Sequence, residues 1–176
     1  MFTLNIPVPC DWEEQLQYLL MQADNDTVKR VYICSPLRAD TNAHMQWNMI
    51  AARYFMFSVS RNMNCIARAP HAYLPLLLDD NIPRERAIAL QVGQNLLEQC
   101  HALYVCGNCI SNGMHGEIQY AARLNILIVV FHEELFLPVR KIVALSGADE
   151  NLVRFDTTSE HMSLNFSSDM LVKEDH

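Results

Sequence analysis

At 176 residues the chain is the size of one domain with a substantial core, and 51% hydrophobic against 19% charged residues exclude intrinsic disorder. A formal charge of −7 argues against extended duplex binding, and no apolar run approaches the ~20 residues of a membrane helix. Residues 1–7 carry neither a basic region nor an apolar signal core, so a soluble, cytoplasmic protein without membrane or nucleic-acid-duplex partners is expected.

In chain order, residues 11–23 read as an appended amphipathic helix, with Asp11 as cap and Glu14 completing a capping box. Residues 31–34 form a short strand stopped by Ser35-Pro36. A helix follows near 42–60, with Trp47, Ile50, Ala51, Tyr54 and Ser58 on one face. Residues 65–69 are a second strand closed by Pro70. Asn81 and Pro83 then open a helix with the stripe Ile88, Val92 and Leu96. A third strand at 102–106 leads through a glycine-containing turn into a helix reaching about Leu124, and 126–131 is a fourth strand. After His132 the pattern weakens: Glu133-Glu134 read as a solvated loop, and residues 151–155 as a fifth, edge strand. Continuous apolar strands alternating with helices predict an α/β, flavodoxin-like or Rossmann-like three-layer sandwich with a mainly parallel sheet of about five strands. One domain spanning 1–156 and a polar tail at 157–176 are expected.

The six cysteines lie mostly in apolar segments, where a thiol behaves as a small hydrophobe. Cys106 and Cys109 form a C-x2-C, but no second pair or spaced His pair completes a tetrahedral site, so no metal and no cofactor are expected. Ligands of parallel sheets collect at the carboxyl ends of the strands. There the loops 35–42, 70–84 and 107–117 meet, offering Ser35, Arg38, Asn42, His71, Asp79, Asp80, Arg84, Ser111, Asn112 and Glu117 to a nucleoside or nucleotide. Arg38 and Arg84 supply positive charge for an anion. The sharpest element is Ser111-Asn112-Gly113-Met114-His115-Gly116-Glu117. Exposed N–H groups of such a turn make an anion pocket, and a first-turn position is expected to keep Glu117 ionised through the helix dipole. Glu117 is then either a nucleophile or an ordinary helix-start glutamate. His71 is a candidate general acid, and His115, two positions from Glu117, is expected on the surface. The Met-rich face of the 42–60 helix (Met45, Met49, Met56, Met63) is core or an oligomer contact, and a homo-oligomer is expected.

At this point the chain resembles a family. Tyr32 in a strand ending Ser35-Pro36-Leu37-Arg38, an Asn-initiated helix, Cys100-His101, and Ser111-x-Gly113-Met114-x-x-Glu117-Ile118-x-x-Ala121 resemble the nucleoside 2-deoxyribosyltransferase superfamily. The block from Pro70-His71-x-Tyr73-Leu74-Pro75 through Leu78-Asp79-Asp80 and Pro83-x-Glu85-Arg86 is closer still to uncharacterised relatives from bacteria and their phages. The resemblance implies a flavodoxin-like sheet and cleavage of an N-glycosidic bond. Glu117 would attack C1′ of the sugar, forming a glycosyl-enzyme ester resolved by another base or by water, and Tyr32 would orient Glu117 by hydrogen bonding. The related monophosphate hydrolases imply phosphate contacts at Ser35, Arg38, Ser111 and Gly113, with Met114 beside them.

Two departures bear on the reaction. Ser111 stands where the transferases carry an aspartate, which favours hydrolysis of a nucleoside 5′-monophosphate over transfer. His101 stands where relatives often have an acidic residue. A partner subunit's C-terminal Asn and Met complete the transferase pocket, and Met170 is the candidate counterpart in this tail. The rival reading is a non-catalytic module of the same fold that binds or senses a nucleotide.

Overall fold

The structure, a computed structural model, describes residues 2–4, 28–157 and 171–173. Its centre is one sheet of five parallel strands: β1 (Arg30–Cys34), β2 (Ile66–Arg68), β3 (Ala102–Val105), β4 (Leu127–Val130) and β5 (Val153–Phe155). Their spatial order is β2-β1-β3-β4-β5, with Val31 opposite Ala102, Leu103 opposite Ile128, and Ile128 opposite Val153. The chain steps from β1 to one side, then returns past it to the other. That is the flavodoxin-like order, and its ligand crevice opens where the direction reverses, between β1 and β3.

Side chains alternate across β1. Tyr32 and Cys34 face helices α2 (Pro83–Glu98), α3 (Asn112–Arg123) and α4 (Glu133–Leu145), in one core with Leu97, Met114, Ile118, Val139 and Val143. Val31 and Ile33 face the opposite way, into a second core with Ala51, Ala52, Phe55 and Val59 of α1 (Asn42–Met63). The result is the expected three-layer α/β sandwich.

Helix α1 starts at a Thr41 cap, whose hydroxyl accepts from the His44 N–H at 3.2 Å, and ends on left-handed Asn64 (φ 46°). Its buried arc runs through Trp47, Met49, Ala51, Ala52, Phe55 and Val59, leaving Ile50, Tyr54 and Ser58 at the margin. The arc turns this way because buried Asn48 donates to the Leu37 carbonyl at 3.1 Å and pins the first loop. Of the Met-rich face, Met49 is buried in the chain's own core, while Met45, Met56 and Met63 are half-buried.

Helix α4 was not expected. Glu133 and Glu134 are exposed, as predicted, but they open a helix rather than a loop. Pro138 masked it, although Leu135, Val139, Ile142 and Val143 already stood at helical spacing. The edge strand is shorter than expected, because a 3-10 turn at Glu150–Leu152 precedes it. Phe2–Leu4 pairs antiparallel with Leu171–Lys173. The helix expected at 11–23 and Met170 lie outside the described residues. Among the described residues no helix is long and apolar enough to cross a membrane.

Gly107 makes the turn that brings the loop after β3 against the loop after β1. Its φ is +88°, and a Cβ would stand 3.3 Å from Pro36 Cδ. Gly107→Ala is expected to cost about 1–3 kcal/mol, read as a lower denaturant midpoint with an unchanged slope.

Candidate active site

Where the crevice opens, β1 and α3 bring two groups together. Tyr32, only 1% exposed, aims its hydroxyl out of the sheet and donates to Glu117 Oε1 at 2.7 Å. The helix supplies the aim of the acid. Ile118 is fully buried against the sheet, and its neighbour, about 100° round the axis, is thereby turned into the crevice.

Helix α3 begins earlier than expected, at Asn112 after a Ser111 cap, so Glu117 sits in the second turn. Its carboxylate is past the exposed N–H groups, and burial outweighs the dipole. Desolvation pushes Glu117 from an ordinary 4.5 up to about 7, opposed in part by the hydrogen bond from Tyr32 and by the nearby Cys34 thiol. The expectation of a firmly ionised Glu117 is thus corrected: near neutrality it is divided between its two forms. Burial and the neighbouring carboxylate hold Tyr32 and Cys34 well above their usual ranges, so both remain proton donors.

The walls of the crevice come from the three loops and from α2. Ser35, buried at the end of β1, shares a 2.7 Å hydrogen bond with His71 Nε2. Burial lowers His71 to about 4, so it is neutral at pH 7 and is no imidazolium acid. Asp80 is gripped from two sides, by Arg38 Nε and by Arg86 Nη1 at 3.1 Å. Two guanidinium groups against one carboxylate leave a net positive node on the crevice wall. The Ser111 hydroxyl accepts from the Met114 N–H at 3.3 Å, so it caps α3 and keeps its own proton to donate. Leu74, Pro75 and Leu78 form an apolar wall. The enclosed volume is about 680 Å³, within the range of small-molecule sites.

Of the residues expected here, Tyr32, Ser35, Arg38, His71, Asp80, Ser111, Asn112, Gly113, Met114 and Glu117 line the crevice. Asn42, Asp79 and Arg84 do not. Asn42 is exposed in the first turn of α1. The Asp79 carboxylate accepts from the Asn81 N–H at 2.9 Å, while Glu85 accepts from the Asp79 N–H, so Asp79 builds the turn before α2. Arg84 is exposed, two residues from Arg86 and hence on another side of the helix. Arg86 takes the role given to it. His101 precedes β3 at the opposite edge of the sheet, where its Nδ1 accepts from the Arg30 N–H at 3.1 Å. His115 stands outside the crevice, as expected.

Sequence reasoning missed the α2 side. Arg86, Ala89, Gly93 and Leu97 turn toward the crevice, while Ile88 of the expected stripe is 44% exposed. The signal was a pair of small residues four apart, Ala89 and Gly93, on one face of the helix, which fits an open crevice rather than a closed core. Gln119, Tyr120 and Arg123 of α3 were also missed; the Tyr120 hydroxyl donates to Glu98 of α2, and the Arg123 guanidinium lies 5.7 Å from the Tyr120 ring centre.

Comparison with known proteins gives three findings. A family model described as a domain of unknown function (DUF7768) matches residues 29–131. No curated protein matches the chain. Among solved structures, the chain is similar to a 2-deoxyribosyltransferase of Bacillus psychrosaccharolyticus, described as a biocatalyst for nucleoside synthesis. That similarity has 11% identity and a TM-score of 0.46, covering 58% of this chain and 72% of that one.

Proposed function

The chain belongs to the DUF7768 family, and we propose that it cleaves the N-glycosidic bond of a nucleoside 5′-monophosphate, with Glu117 as nucleophile and water as acceptor. The observation that carries this reading is the 2.7 Å hydrogen bond from a buried phenol to a carboxylate that faces a large crevice. An ordinary helix glutamate has no reason to be desolvated beside such a donor, whereas perturbed acids in clefts mark reactive sites.

In the proposed reaction a Glu117 oxygen bonds to C1′ while the C1′–N pair departs with the base, which takes up a proton from solvent. Water then adds to C1′ and returns its surplus proton to solvent, the ester oxygen's bonding pair returns to Glu117 as carboxylate, and a free sugar phosphate leaves. Tyr32 holds Glu117 throughout. The node of Arg38 and Arg86, with the N–H groups at Asn112 and Gly113, offers the phosphate its donors.

Chromatography of reactions over nucleosides, their 5′-monophosphates and NAD tests the reading. Free base from a monophosphate, absent with Glu117→Ala, supports it. No base from any substrate, with nucleotide binding intact, assigns the protein to binding or sensing instead. The phosphate assignment has its own test. Arg86→Ala is expected to weaken a monophosphate about 10-fold and leave the corresponding nucleoside nearly unaffected, read as two KM values.

A further inference from the structure

Gly93 stands in the interior of α2, a position where glycine is a markedly poorer helix former than alanine. It lines the crevice one turn before buried Leu97, directly over the Tyr32 phenol. A Cβ placed there would lie 3.2 Å from the Tyr32 hydroxyl oxygen, tighter than side-chain contacts normally allow. The Tyr32 ring is buried in the sheet, and its hydroxyl proton is committed to Glu117 at 2.7 Å.

We propose that Gly93 is a positioning residue, whose missing side chain leaves the space in which the Tyr32 hydroxyl is held against Glu117. The helix gives up propensity at this point so that α2 closes over the pair without displacing it. Adding one methyl group moves the hydroxyl off the carboxylate by a few tenths of an ångström, and Glu117 loses part of the donor that favours its ionised form. The titratable and charged groups that share the crevice with Glu117 are Tyr32 and, behind it, Cys34 from β1, Arg38 from the first loop, His71 and Asp80 from the second, Glu85 and Arg86 from α2, and Tyr120 and Arg123 from α3 itself. Of these, Tyr32 donates to Glu117 at hydrogen-bonding distance, and it is the Tyr32 hydroxyl that a Cβ at Gly93 would meet.

This role serves the glycosidic reading, so its first readout needs no substrate. Titration of the Glu117 carboxyl by carbon-13 NMR in Gly93→Ala is expected to move upward by about half a pH unit or more, with Tm unchanged or raised because alanine is the better helix former. On a cleaved monophosphate, kcat at pH 7 is expected to fall about 2-fold for a half-unit shift, more for a larger one, and to recover above pH 8. A double-mutant cycle separates positioning from packing, since Tyr32→Phe removes the atom the methyl would meet. In that background Gly93→Ala is expected to have no further effect on the titration or on kcat. An unshifted Glu117 titration in Gly93→Ala, or the same loss with and without the Tyr32 hydroxyl, overturns the proposal. If no substrate is cleaved at all, the titration still decides the role of Gly93, and the failure belongs to the proposed reaction alone.

Discussion

Glu117→Gln is expected to reduce base release by about 10⁴-fold or more and, in the same protein, to raise stability above pH 7. The first effect follows from chemistry. An amide keeps the shape of the carboxyl and can still accept from the Tyr32 hydroxyl, but it cannot form the ester with C1′. The second follows from linkage. Glu117 titrates at about 7 in the fold against an ordinary 4.5, so between these values the folded chain holds a proton that the unfolded chain has released. Stability from this group is fully present below about 4.5, declines as pH rises, and is lost above about 7. Glutamine has no such loss. The variant should match wild type near pH 4 and exceed it by about 2–3 kcal/mol at pH 8, or roughly 5–10 °C in Tm. Thermal scans at the two pH values check this. Equal Tm differences at both would mean that Glu117 is not desolvated as described. A stabilised but inactive variant is the behaviour of a residue kept for reaction rather than for folding.

Tyr32→Phe is the second large effect. The phenol donates to a carboxylate in a desolvated site, and a hydrogen bond to a charged group is worth about 1.5–3 kcal/mol. Its removal is expected to lower kcat/KM at pH 7 roughly 10–100-fold. Part of that loss is ionisation: without the donor, burial acts on Glu117 less opposed, and the rising limb of the pH–rate profile should move from about 7 toward about 8. The ring itself stays packed with Leu97 and Leu103, so the fold should tolerate the change. A variant whose profile keeps its midpoint while the rate falls would show that Tyr32 contacts substrate instead of tuning the acid.

The sheet was legible because its strands are buried on both faces and therefore read as unbroken apolar runs. Residues 31–34, 102–106 and 126–131 needed no context to be placed. The strand order was not readable from those runs, and the meeting of Tyr32 and Glu117 was expected only through the family resemblance. Two further kinds of feature were not legible. The start of α3 was placed too late, since Gly113 and Gly116 read as turn residues although Ser111 already caps the helix; the error put Glu117 at the dipole and hid its desolvation. Partnerships between loops were invisible for a different reason. Arg86 rather than Arg84 reaches Asp80 because Pro83 fixes the phase of α2, and only the placement of that helix says which side meets the crevice. The same limit applied to His71. Its contact with Ser35, and the burial that keeps it neutral, both depend on how the second loop folds back over β1.

Tyr32 and Glu117 are separated by 85 positions, yet they touch because β1 and β3 are neighbours. A growing polypeptide that has emerged only through α2 owns the phenol, the arginines and half the crevice, but no acid. Whatever reactivity the pair confers is thus switched on late, by the pairing of two central strands. Maturation and chemical competence become a single event.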